Sequence, residues 1–282
     1  MKTQSVLCAV ALCLTVHLAW AQKPPRLTVM VGSASKPPTE ELVRLFEKQT
    51  GVTVEAHYGG SGAMLSQIVL TREGDVYFPG SSDFMDKAVA RGVVKAGSAR
   101  DIVYLIPAIT VPKGNPKHIE GLTDLVRPGV RLAIGRPDTV CVGLYGLQTL
   151  EKAGLLDAAK KNIVTEAESC EKTAAAVSLG LVDAALGWRD FGNWDPQHLQ
   201  TVLLAPGQVP RIATIPAAPT VYARDPALAE RFVTFLQSPE ARAVFKKWGY
   251  LTTLQEARRY TLPDTPVGGS AAIPKAWTEA RP

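Results

Sequence analysis

The sequence predicts an α/β protein built as two domains, each a doubly wound sheet. Three observations lead there. A strand, a small polar turn and a helix occur twice in succession near the start, over Arg26 to Gly51 and Val52 to Leu70, and such repeats build a parallel sheet covered by helices. The about 260 residues beyond the N-terminal segment exceed the usual size of one hydrophobic core. Two proline-rich passages, Pro112 to Pro116 and Pro206 to Pro219, interrupt the pattern where a chain could cross between domains.

The chain opens with a basic start, an apolar stretch from Ser5 to Trp20, and Ala19-Trp20-Ala21. That order describes a secretory signal over residues 1–21, cleaved after Ala21. A membrane anchor is the alternative, but the run carries His17 and is shorter than the ~20 apolar residues a span needs. Cleavage removes Cys8 and Cys13, neither of which sits in a lipoprotein attachment context. Cys141 and Cys170 then remain as thiols of an exported, periplasmic protein in an oxidising compartment. With 31 Lys and Arg against 26 Asp and Glu, the net charge is +5. No basic stripe with interleaved aromatics forms, so nucleic acid is not the expected partner.

Arg26 to Val31 reads as a buried first strand. Gly32-Ser33-Ala34-Ser35-Lys36-Pro37-Pro38 follows as a turn, and Thr39-Glu40-Glu41 opens an amphipathic helix that Gly51 closes. The alternating run Val52 to Tyr58 is the second strand. It leads into Gly59-Gly60-Ser61-Gly62 and a helix with Met64, Leu65, Ile68 and Val69 at helical spacing. Glycines let the backbone approach a ligand, and the first amides of a helix lack internal partners and carry partial positive charge. Ser61 adds a hydroxyl at the N-cap. Taken alone it would only cap its own helix; with its surroundings, the turn reads as an oxyanion site. Gly74 to Ser81 gives a third strand and turn, and Ser82 to Ala88 the helix after it. An apolar run, Ile102 to Val111, then ends at the first proline-rich crossing.

From Leu122 the pattern restarts. Arg131 to Gly135 is a strand, Arg136 to Gly143 a turn and Leu144 to Ala153 a helix. Ile163-Val164 is a strand, Glu166 to Cys170 a turn and Glu171 to Leu179 a helix. Asp183 to Trp188 is a buried strand that delivers Arg189 and Asp190 to its end. After the second crossing, Leu228 to Leu236 and Pro239 to Trp248 are amphipathic helices, and the tail from Leu251 is expected on the surface. These readings divide the chain into a first lobe over 22–110 and 214–282 and a second over 111–213.

Gly32-Ser33-Ala34-Ser35-Lys36-Pro37-Pro38, Tyr58-Gly59-Gly60-Ser61-Gly62, Asp75-Val76-Tyr77-Phe78-Pro79-Gly80-Ser81, Val182-Asp183-Ala184-Ala185 and Phe245-Lys246-Lys247-Trp248-Gly249-Tyr250 occur in one order from Leu27 to Tyr250. That ordered set resembles the periplasmic molybdate/tungstate-binding proteins of ABC importers. The resemblance implies the type 2 periplasmic binding fold: two α/β lobes, joined by two crossings, that close on a tetrahedral oxyanion. It implies a monomeric carrier that needs no cofactor, catalyses nothing and hands its cargo to an ABC permease. Neutral hydroxyls and main-chain amides at helix starts hold the anion in such proteins, which suits reversible binding.

Carried over residue by residue, the family's second-turn serine falls on Ser61 and its first-turn serine on Ala34, so Ser33, Ser35 or the local amides must serve there. The amide positions of the second lobe fall on Val142, directly after Cys141, and on Cys170; a ligand-reaching tyrosine falls on Trp188. Gly60 and Gly62 flank Ser61. Arg189 is the one charge that could enter, against pairing with Asp190 or solvation at the rim. Cys141 and Cys170 stand in successive strand-end turns, where neighbouring strands could bring them within disulfide range. A structural disulfide is one reading, and a thiolate pair for a thiophilic metal or metalloid the other. The second would suit a periplasmic sensor as the alternative function. An exported enzyme would need a nucleophile or metal cluster, and His57, His118 and His198 stand apart in the sequence.

Overall fold

The computed structural model describes residues 24–279, so the expected signal segment, with Cys8, Cys13 and His17, lies outside the described residues. Two five-stranded sheets carry the fold. In the first, β1 (Arg26–Gly32) is flanked by β2 (Thr53–Gly59) and β3 (Val76–Phe78), all parallel, with β4 (Arg100–Leu105) at the far edge. In the second, β6 (Leu132–Gly135) is flanked by β7 (Ile163–Ala167) and β8 (Ala184–Trp188), again parallel. There β5 (Pro107–Pro112) runs antiparallel beside β8, and β9 (Leu199–Leu203) beside β5. The remaining strand, β10 (Ala213–Pro219), lies between β3 and β4 and is antiparallel to both.

The two orders, β2-β1-β3-β10-β4 and β7-β6-β8-β5-β9, are one topology used twice. In each sheet the fourth strand arrives only after the chain has crossed from the other sheet, so each crossing ends in a hydrogen-bonded strand. Each sheet also has an aspartate at the start of its third parallel strand. The Asp75 carboxylate accepts the Thr28 N–H at 2.7 Å and pairs with Arg224, while that of Asp183 accepts the Arg131 N–H at 2.9 Å and pairs with the Arg131 side chain.

The first crossing falls at Ile106, ahead of the expected boundary at residues 110 and 111. The end of β4, from Ile102 to Leu105, and β5 are both apolar and largely buried, so hydropathy runs unbroken through the junction; Pro107 alone marks it. The second crossing ends by Ala213, and Pro216 and Pro219 belong to β10 instead of to a linker. Proline in an inner strand argues against strand from sequence. A register shift between Ile215 and Pro216 accommodates the first of them.

Helices α1 (Lys36–Thr50), α2 (Ser61–Thr71), α3 (Ser82–Ala90), α4 (Cys141–Lys152), α5 (Leu156–Lys160), α6 (Cys170–Ser178), α7 (Phe191–Trp194), α8 (Pro226–Leu236) and α9 (Pro239–Lys247) follow their strands or pack on them. α1 starts earlier than expected because Pro37 and Pro38 occupy its first turn, where no amide partner is required. It stops at Gly51, whose φ of 71° a side chain would strain. The tail lies largely at the surface but is anchored to the body. Leu251 bridges to Tyr104, α10 (Leu254–Arg258) and α11 (Lys275–Thr278) follow, and Val267, Ile273 and Trp277 pack on the core of the second sheet. Residues expected in the first lobe thus finish against the second, on apolar anchors spaced too widely to show any period. No described helix is long and apolar enough to cross a membrane.

Candidate functional site

The carboxyl ends of the inner parallel strands of both sheets face each other. Gly32 ends β1 and opens a single 3-10 turn, Ser33–Ser35, before α1. Ser33 is buried and its Oγ accepts the Cys170 N–H at 3.0 Å, a hydrogen bond from one lobe to the other. Ser35 Oγ takes the Thr39 hydroxyl at 3.3 Å inside its own lobe. Ala34 offers its carbonyl to Tyr250 Oη at 2.6 Å. Of the first turn's candidates, Ser33 alone has its side chain on the other lobe.

Gly60, not Ser61, is the N-cap of α2, and Ser61 is the first helical residue. Its hydroxyl therefore caps nothing in its own helix. It accepts the Gly80 N–H at 2.9 Å, while Tyr77 Oη donates to its carbonyl at 2.8 Å. Burial pushes the Tyr77 and Tyr250 phenols well above their ordinary range, so both remain neutral donors. Gly60 and Gly62 make the approach between lobes possible. The Gly62 N–H donates to Thr139 O at 2.8 Å, and a Cβ on Gly60 would stand 2.7 Å from Glu168 O and 3.1 Å from Thr139 O. Lys36 also pairs with Glu171 across the gap. The lobes are closed on one another.

From the second lobe come α4 and α6. Both begin at their cysteine, so Cys141 and Cys170 are first helical residues and not turn residues. Val142 follows, buried, within the first turn of α4. Ser169 caps α6 through the Lys172 N–H, which leaves the Cys170 N–H free to reach Ser33. The two thiols are free and buried, with their sulfurs 3.7 Å apart. The disulfide expectation is therefore corrected. Each sulfur rides on the first turn of its own helix, and the pair meets at contact distance, well beyond the ~2.05 Å of a bond. Burial pushes the Cys141 thiol well above its ordinary range; the Cys170 thiol adds to this and the Val142 N–H partly offsets it.

Trp188 is fully buried and packs edge-on against Tyr145, with ring centroids 5.0 Å apart. Neither Trp188 Nε1 nor Tyr145 Oη has a hydrogen-bond partner. Arg189 leaves the cluster altogether: its guanidinium hydrogen-bonds Gly249 O and lies over the Tyr260 ring, 4.9 Å from the centroid. The backbone at the end of β8 commits its side chain to the chain's C-terminal part, so Arg189 is not the charge that faces the gap. Among the described residues the one buried cation is Arg211, and it is fully engaged by Asp83 at 2.7 Å, by Gln148 and by the Gly268 and Gly269 carbonyls.

The structure thus brings together Ser33, Gly60, Ser61, Gly62, Cys141, Val142 and Cys170, and leaves Ser35 and Arg189 out. It adds Gly80, which sequence reasoning left as a turn residue. A Cβ there would stand 2.5 Å from Cys141 Sγ and 2.7 Å from Ala34 Cβ. The signal was present, since strand, glycine and serine recur at Gly32-Ser33, Gly60-Ser61 and Gly80-Ser81. No group of three or more His, Cys, Asp or Glu side chains able to hold a metal occurs among the described residues.

Comparison with known proteins agrees with this arrangement. Residues 27–251 match the family model described as bacterial extracellular solute-binding protein. The molybdate-binding protein ModA of Rhodobacter capsulatus is 22% identical over 245 residues, covering 86% of this chain and 95% of that protein. The periplasmic molybdate-binding protein of Azotobacter vinelandii superposes with a TM-score of 0.70 at 24% identity, over 80% of this chain and 99% of that one. The sulfate-binding protein SubI of Mycobacterium tuberculosis gives 0.72 at 16% identity, over 86% and 94%. The family serves ABC transporters by binding solutes and is not a family of enzymes; to it, the bacterial extracellular solute-binding proteins, this chain belongs.

Proposed function

We propose that the protein is exported, captures a tetrahedral oxyanion between its two lobes and presents it to an ABC permease, with molybdate or tungstate as the guest. The observation that carries the reading is a pair of serine oxygens, one on a helix-start amide of the other lobe and one on an amide of the turn after β3. Ser33 Oγ takes the Cys170 N–H and Ser61 Oγ takes the Gly80 N–H. Those N–H groups point into the gap, and an anion's oxygens would compete for the same donors with the hydroxyls turned round to donate. First-turn amides of α2, α4 and α6 add partial positive charge. No free buried cation would hold the cargo too tightly for release.

The relatives support the choice of guest, because the proteins of R. capsulatus and A. vinelandii bind molybdate. SubI makes sulfate the competitor. A thermal-shift panel of molybdate, tungstate, sulfate and phosphate on the mature protein tests the reading. Molybdate and tungstate should raise the melting temperature while sulfate and phosphate leave it within error. A response to sulfate alone would replace the guest, and no response to any of the four would remove the function.

A further inference from the structure

Cys141 and Cys170 are not explained by anion binding through amides, since every residue but proline carries a main-chain N–H whatever its side chain. Both thiols are buried at the meeting of the lobes, 3.7 Å apart and unbonded. Room for the Cys141 sulfur exists because residue 80 is a glycine. Ser33 Oγ lies 3.0 Å from the Cys170 amide nitrogen, and Ser61 Oγ lies 2.9 Å from the amide nitrogen of the same Gly80. Two soft sulfurs from one lobe and two hydroxyl oxygens from the other therefore gather at one place. Tyr145, one helical turn after Cys141 on the same side of α4, keeps a buried hydroxyl without a partner.

The spacing selects among soft guests. With metal–sulfur bonds of about 2.3 Å, sulfurs at this separation subtend about 107° at a shared centre, whereas a linear two-coordinate ion would need them about 4.6 Å apart. A bent geometry excludes linear copper(I) or mercury(II). Zinc would take four ligands, and no third His, Cys, Asp or Glu joins the pair among the described residues. Because the one buried cation is already paired with Asp83, the adduct should also carry no net charge.

We propose that the interlobe site takes a trivalent metalloid oxyacid, arsenous or antimonous acid, by condensation with the thiols of Cys141 and Cys170. Two metalloid–oxygen bonds break and two metalloid–sulfur bonds form. Each thiol proton leaves with a hydroxyl group as water, so two waters are released. The metalloid stays trivalent, no oxidant or reductant is consumed, and the charge does not change. The remaining hydroxyl stays on the metalloid, within reach of the Ser33 and Ser61 side chains. This goes beyond the tetrahedral-anion reading and shares with it the closed lobes and the Ser33 and Ser61 side chains.

The test is calorimetric titration of the mature protein, held reduced by a phosphine, with arsenite and separately with molybdate, together with arsenic K-edge absorption on the arsenite-loaded protein. The expected result is one arsenite per chain with two sulfur neighbours and one oxygen, and at least a hundredfold weaker uptake in Cys141→Ser and in Cys170→Ser. Because the absorption spectrum is read on the unaltered chain, a variant that fails to fold leaves the test intact. No arsenite uptake by protein that binds molybdate would overturn this inference alone, as would a single sulfur neighbour or equal uptake by the serine variants. Arsenite uptake without any molybdate binding would overturn the tetrahedral-anion reading alone.

Discussion

The two lobes share a topology and differ in the chemistry at their strand ends. In the first, Gly32-Ser33, Gly60-Ser61 and Gly80-Ser81 end the three parallel strands, so small residues and oxygen donors meet the gap. In the second, the matching strands lead to Cys141, Cys170 and Trp188, which are sulfur and aromatic. The backbone supplies helix-start amides on both sides, so anion binding needs only the shared scaffold. On the proposed reading side chains are free to differ, and their difference would set which guest is preferred. The acids beyond the third strands differ too. Asp83 is paired with Arg211, while Asp190 is buried with one oxygen that has no partner.

The largest effect should come from removing the close approach. In Gly60→Ala, the new Cβ meets only second-lobe atoms, at 2.7 Å from Glu168 O and 3.1 Å from Thr139 O. Gly60 has φ −60° and ψ 138°, which alanine adopts without strain, so the first lobe should lose no more than about 1 kcal/mol of helix-cap stability. Affinity should fall about a hundredfold, and small-angle scattering should show a larger particle that saturating molybdate no longer compacts.

A smaller effect separates the lobes' donors. Ser61→Ala and Ser33→Ala each remove one hydroxyl, and a hydrogen bond to a charged group contributes about 1.5–3 kcal/mol, so molybdate affinity should drop roughly tenfold to a hundredfold. Affinity in both variants equal to that of the unaltered protein, measured by calorimetry, would mean that the first lobe contributes amides only.

The smallest effect bears on stability and pH. Burial pushes Asp190 up to about 7, with its own backbone amide and Arg189 opposing. The folded state therefore keeps a proton that the unfolded chain has lost between about pH 4 and pH 7. Stability should fall as pH rises through that window and level off above it, by at most about 4 kcal/mol. Asp190→Asn removes the titration. Its melting temperature should change less between pH 5 and pH 8 than that of the unaltered protein; an equal dependence in both would assign the effect to other groups.

Strand–turn–helix order was legible because it rests on local patterns: buried β-rich runs, glycine and serine turns, and apolar residues at helical spacing. The three first-lobe turns were legible for the same reason; the two cysteines were placed after the right strands, but each opens its helix instead of lying in the turn before it. What was not legible depends on contacts distant in sequence. β10 reads as linker because its prolines violate strand rules that a bulge can satisfy. The break at Ile106 is hidden because the apolar end of one strand, Ile102 to Leu105, runs straight into an apolar strand of the other sheet. The direction of a long side chain is likewise a tertiary property. Arg189 sits beside the site in sequence, and its guanidinium is drawn to Gly249 O and Tyr260. Ser61 reads as a cap, since Gly60 gives no sign that it takes the cap position itself.

The most direct test is a crystal of the mature protein grown with tungstate and measured at the tungsten absorption edge. One anomalous peak should lie between the lobes, within hydrogen-bonding reach of Ser33 Oγ, Ser61 Oγ and the Cys170 N–H. A peak elsewhere on the molecule, or none in a crystal of the closed form, would contradict the account.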